Sequence, residues 1–202
     1  MIKVLKSGLK VSVVIFAILL SCTPGMVWAD EISESINEAL EYYTKGDYVE
    51  AVSSLDYAAQ LIRQKRGSSL KSFLPAPLSG WKAEDAESQA AGQAMFGGIV
   101  TAKRLYHKNS SSVTVEIATD SPFLQSMVMM FSNPAFATTD GGKLKKIKRQ
   151  KAIVKYRPSS KEGEITIIVN KSYLISIKGT KVSEDDLINY ASAIDYKGLK
   201  KF

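Results

Sequence analysis

The chain has 202 residues, with 27 Lys or Arg against 20 Asp or Glu and a single histidine, for a formal net charge of +7. Its one cysteine excludes a disulfide scaffold and a cysteine-based metal site, and 45% hydrophobic residues are enough for a packed core.

Residues 1–29 read as an export leader. Lys3, Lys6 and Lys10 form a positive n-region, Val11 to Leu20 a short apolar core, and Val27-Trp28-Ala29 a cleavage site. The apolar run is about ten residues, against the ~20 that a spanning helix needs, so no transmembrane segment is expected after processing. Cleavage after Ala29 gives a periplasmic or secreted protein. A lipoprotein anchored through Cys22 is the alternative, because Leu19-Leu20-Ser21-Cys22 looks like a lipoprotein processing box. Beyond the leader the charge is uneven: −4 over 30–67, −1 over 68–142 and +9 over 143–202. Such polarity can steer an anionic partner.

Ser33 to Lys45 predicts an amphipathic helix, with Ile36, Leu40 and Tyr43 at i, i+4, i+7 and Ser33 or Ser35 as its cap. Gly46-Asp47 breaks it, and a second helix follows from Tyr48 to about Arg66. Ser69 to Trp81 carries Pro75, Pro77 and Gly80, which prevent a regular helix, but also Phe73, Leu74, Leu78 and Trp81, which fix it against a core. Lys82 to Met95 is alanine-rich and reads as a short helix.

From Gly97 the period changes from helical to alternating. Ile99–Tyr106 and Val113–Ile117 predict two strands joined by a polar turn over His107–Ser112. Asp120 or Ser121 caps a helix whose apolar stripe is Phe123, Leu124, Met127, Val128 and Phe131; the methionines Met127, Met129 and Met130 read as core. Three strand-like runs follow between Gly142 and Gly179, with Ile165, Ile167 and Val169 sharing one strand face and Ile175 and Ile177 another. Ser183 then caps a final helix with three acids in its first turn, and Asp195 to Phe202 reads as a tail.

The expected fold class is therefore α+β: an antiparallel sheet of about five strands covered by helices, preceded by an N-terminal helical hairpin. The helices that start at Ser121 and Ser183 are expected to cover one face of the sheet. The boundaries are 1–29 signal peptide, 30–67 helical hairpin, 68–96 linker with a short Ala-rich helix, and 97–202 α+β sandwich domain.

The pattern A-L-x-x-Y-x-x-G-D-Y-x-x-A-x-x-x-L-x-x-A from Ala39 to Ala58 resembles one tetratricopeptide hairpin, with no second copy. The layout after residue 97 resembles the α/β sandwiches of the PsbP/Mog1 type. FLPAPLSGW, FGG and DSPFLQSMVMM look like segments of a family of uncharacterised exported bacterial proteins. That resemblance implies a periplasmic location and brings no activity with it.

No catalytic constellation emerges. His107 lacks the partners a zinc site needs, no G-x-S-x-G elbow marks a serine, and no acid pairs with Glu116. The expectation is a non-enzymatic accessory or binding protein, with no cofactor and no metal, whose partner is a protein or an anionic envelope component. Lys145, Lys146, Lys148, Arg149 and Lys151 form the candidate basic interaction face. Export argues against nucleic acid as its partner. The alternative is a small-ligand module with an apolar pocket at Trp81 and Phe96, and the helical hairpin is a candidate surface for homo-oligomers.

Overall fold

The structure is a computed structural model, and it describes residues 30–91, 98–121, 123–132 and 141–202. The leader with Cys22 and Ala29, and also Phe96, Pro122 and the segment 133–140, lie outside the described residues.

α1 (Glu31–Lys45) and α2 (Tyr48–Leu70) form the expected hairpin. The cap of α1 is Asp30, not Ser33 or Ser35: its carboxylate accepts from the N–H groups of Ile32 and Ser33. Ser35 is instead buried in the seam between the helices. Gly46 closes α1 in the left-handed conformation, at φ 82°. α2 continues beyond Arg66 to Leu70. Gly67 does not stop it; a Cβ there would lie 3.2 Å from Val100 Cγ1, so glycine is the residue that lets the helix approach the sheet. Leu70, Leu74 and Trp81 then bury the following segment in the main core.

Where an Ala-rich helix was expected, the chain forms β1 (Lys82–Ala83) and β2 (Glu87–Ala90), both antiparallel to β3 (Val100–Lys108). The backbone of β3 needs partners along that edge, and Gln60 of α2 donates to the Ala90 carbonyl at 3.0 Å. Tertiary pairing thus overrides the helical propensity of alanine. β3 turns into β4 (Ser111–Thr119) through Asn109 and Ser110 alone, so His107 is a strand residue opposite Ser112, not part of a turn.

β5 (Lys143–Ile147), β6 (Gln150–Arg157), β7 (Glu162–Val169) and β8 (Tyr173–Thr180) complete one sheet of eight strands, in the order β1-β3-β4-β8-β7-β6-β5 with β2 also on β3. The expectation of about five strands is therefore corrected. The three additional strands are β1, β2 and β5, which splits from β6 at a turn of Lys148 and Arg149.

Strand parity sorts the side chains. Ile165, Ile167 and Val169 lie opposite Ile177, Ile175 and Tyr173, and with Val113, Val115, Ile117, Ala152 and Val154 they make one buried face. That face is covered by the end of α2, the 71–81 segment, α4 (Glu184–Ala193) and α5 (Tyr196–Leu199). Ser183 caps α4 as predicted, in a reciprocal capping box with Asp186. The predicted tail holds α5, whose Tyr196 and Leu199 are buried. α3 (Leu124–Ser132) lies on the opposite face, where Phe131 meets Ile153. The two helices expected on one side thus cover different sides, because Ile153 and Ile168 point away from the main core and need their own cover.

Three buried tyrosines make stability sensitive to alkaline pH. Burial pushes Tyr106 and Tyr190 up to about 12 and raises Tyr196 further. An unfolded tyrosine ionises near ~10, so the unfolded state releases protons first as pH rises. Their contribution is complete below pH ~10 and is lost progressively toward pH ~12. The expected loss at pH 11 relative to pH 8 is on the order of 1 kcal/mol per tyrosine, read from urea midpoints. Tyr106→Phe should reduce that difference; an identical pH slope in the variant would sink the assignment.

Candidate functional site

The basic stretch predicted from sequence is the β5–β6 hairpin, and β5 is the free edge of the sheet. Its side chains are split by parity. Lys145 points to the side of α4 and forms an ion pair with Glu184. Lys146 and Lys151 are directly opposite each other on the other face, the face that α3 covers. Lys148 and Arg149 occupy the turn, at φ 46° and 67°. Hence four of the five predicted cations, Lys146, Lys148, Arg149 and Lys151, are exposed, while Lys145 is spent on a structural pair. Among the described residues no carboxylate lies within ion-pair distance of those four.

Beside them a groove of about 590 Å³ runs between α3 and the sheet. Val128 and Phe131 of α3 and Ile168 of β7 give it apolar walls, and Arg149, Lys151 and Lys171 stand around it. Among the described residues none that lines it is acidic. Lys171 comes from the β7–β8 turn and reaches the groove only because β7 pairs with β6. α3 also departs from its predicted stripe. Leu124 and Phe131 are buried, but Phe123 is 71% exposed and Met129 74% exposed, so neither is a core residue. Phe123 and Met129 thus leave apolar side chains in solvent, as does half-exposed Leu144, which shares the strand face of Lys146 and Lys151. Sequence reasoning missed this because a nine-residue helix with apolar residues all round does not show which side the sheet takes.

Trp81 is largely buried. It is 8% exposed and meets Tyr190 edge-on, with ring centroids 5.4 Å apart. Trp81 also lines an open, polar-rimmed depression together with Leu78, Ser79, Lys108, Lys148 and Asp186 among others. Among the described residues no group of three or more His, Cys, Asp or Glu could hold a metal ion, and no helix is long and apolar enough to cross a membrane.

The described residues thus define an α+β protein with one eight-stranded sheet, a helical hairpin at one edge and a basic groove toward the other. Comparisons with family models, with curated proteins and with solved structures gave no match. No residue role is therefore carried over from a relative, and function is argued from the groove alone.

Proposed function

We propose that this protein is an exported, non-enzymatic binding protein that docks an anionic component of the cell envelope at the β5–β6 hairpin and α3. The observation that carries this reading is the groove: cations around apolar walls, with no acid among the described residues of its lining. An anionic amphiphile needs both parts, charge for its headgroup and apolar surface for what lies beneath it. The leader pattern of residues 1–29 supports an envelope setting.

Lys146 and Lys151 sharpen the argument. They are cross-strand neighbours next to a two-residue turn, where side chains approach closely and like charges are unfavourable. Selection for stability alone would place opposite charges there. Lys151→Glu is therefore expected to stabilise the fold by about 0.5 kcal/mol through a pair with Lys146, while weakening anion binding.

The test is sedimentation of the protein with vesicles of neutral phosphatidylcholine, with and without about a third phosphatidylglycerol. Binding is expected only with the anionic lipid, and it should fall as salt screens the charges. Lys151→Glu/Lys171→Glu should lower partitioning about a hundredfold, at ~1 kcal/mol per cation and more on reversal. Equal partitioning of protein and variant, or binding indifferent to the anionic lipid, overturns the proposal.

A further inference from the structure

The helical hairpin has two unlike sides. Its helices close on small residues, Ser35 and Ala39 against Ala51, Ser54 and Ala58, all buried. On α1, Ile36, Leu40 and Tyr43 are rotated by about 85° from that seam, at about 100° per residue. On α2, Tyr48, Val52, Leu55 and Ile62 are rotated by a similar angle in the same sense. In antiparallel helices equal rotations turn both stripes to the same side, and the Tyr43 and Tyr48 rings indeed meet, with centroids 5.8 Å apart. The other side is acidic: Glu31, Glu34, Glu38 and Glu41 line a groove there with Tyr57.

The apolar side is uncovered. Leu40 is 61% and Tyr48 64% exposed, and all seven residues of the two stripes are among the exposed large hydrophobics. Their exposed side chains sum to roughly 800 Å², the share each partner contributes to a stable protein interface. That exceeds the ~300–600 Å² of the largest patch on an ordinary monomer.

We infer that the occupant of this side is the same side of a second copy, forming an antiparallel four-helix bundle about a two-fold axis. The area is sufficient for a dimer, and the two stripes carry no charge that a different partner would have to match. Size complementarity favours the antiparallel arrangement. The bulky Tyr43–Tyr48 tip of one hairpin then covers the shallower base at Ala59 and Ile62 of the other, so that large residues meet small ones. A helical peptide would occupy a single groove, whereas a flat face of two parallel stripes fits another pair of helices. Because α2 packs at the β2–β3 end of the sheet and the basic groove lies toward β5, this pairing leaves the groove open.

Sedimentation equilibrium of the protein is the test. A dimer is expected at micromolar concentration, and Leu40→Glu/Leu55→Glu should raise its dissociation constant at least a hundredfold, since each glutamate would be buried at the centre of the contact. Both sites are exposed in the single chain, so the variant should keep its helical circular dichroism. A cysteine at the centre of the face, Leu55→Cys, should form an intermolecular disulfide under mild oxidation, which the remote Glu38→Cys on the acidic side should not. A protein that stays monomeric at 100 μM (about a hundred times the expected constant) overturns the inference, as does a dimer that survives Leu40→Glu/Leu55→Glu.

Discussion

Replacing Leu187 by alanine is expected to cost about 3–4 kcal/mol, in the upper part of the range for buried leucines. Leu187 is fully buried on α4, and the sheet beneath it has been hollowed to receive it. Gly163 of β7 and Gly179 of β8 are cross-strand partners. A Cβ at Gly163 would lie 2.8 Å from Leu187 Cδ1, and one at Gly179 2.7 Å from Leu187 Cδ2. Two adjacent glycines on a core face are otherwise a poor choice for strands, since they add backbone entropy to the unfolded chain and pack nothing. Here they form a notch that one leucine fills. With alanine at 187 the notch has no side chains of its own to relax into the space, which is why the cavity penalty should be large. The converse change, Gly179→Ala, should cost about 1–3 kcal/mol by overpacking, aggravated by Val182 Cγ2 at 2.5 Å. Because the two changes act on the same space, Leu187→Ala/Gly179→Ala should be less destabilised than the sum of the singles by about 1 kcal/mol. Urea unfolding of the four proteins supplies the cycle, and strict additivity would show that the leucine does not occupy the notch.

Much of this seat was legible in the sequence, and the illegible parts have physical reasons. Alternation at Ile165–Val169 and Ile175–Ile177 identified β7 and β8, because each has one face fully buried and period two then shows plainly. The Ser183 capping box fixed the start of α4, being a local interaction complete within four residues. The hairpin was legible for the same reason, from Gly46-Asp47 and helical spacing. By contrast, β5 was merged with β6 because their turn consists of Lys148 and Arg149, both left-handed without the Asn or Gly that usually announces such a turn. β1 and β2 were hidden because only the edge of β3, ten or more residues away in the chain, makes them strands. The candidate site divides along the same line. The cluster of cations was visible in composition, but the apolar walls come from the parity of Ile153 and Ile168 and from which side α3 takes, neither of which a local pattern records. Lys171 joins the cluster only through strand order.

Trp81→Ala is expected to lower stability by roughly 3–4 kcal/mol and the melting temperature by roughly 10 °C. Three rings in series account for the size of the effect. Trp81 packs edge-on against Tyr190 of α4, and Tyr190 lies 4.5 Å, centroid to centroid, from Tyr106 of β3. Tyr106 then donates a hydrogen bond to the Pro75 carbonyl at 2.6 Å. Both ends of the segment from Leu74 to Trp81 are thereby tied to the same aromatic column, and that segment connects α2 to the sheet. Removing the indole opens a cavity against Tyr190 and loosens the joint that positions the helical hairpin. Tyr106→Phe provides the contrast. It keeps the ring in the column, and the Pro75 carbonyl retains a donor in Arg104 Nη1 at 3.3 Å, so no buried acceptor is orphaned and the cost should be about 1 kcal/mol. The pair of variants also separates a packed tryptophan from a ligand platform. A platform residue could be truncated with little effect on unfolding, whereas a core residue could not. A melting temperature for Trp81→Ala within about 2 °C of the unmodified protein would therefore remove the aromatic column as the anchor of the linker and return Trp81 to the list of binding residues.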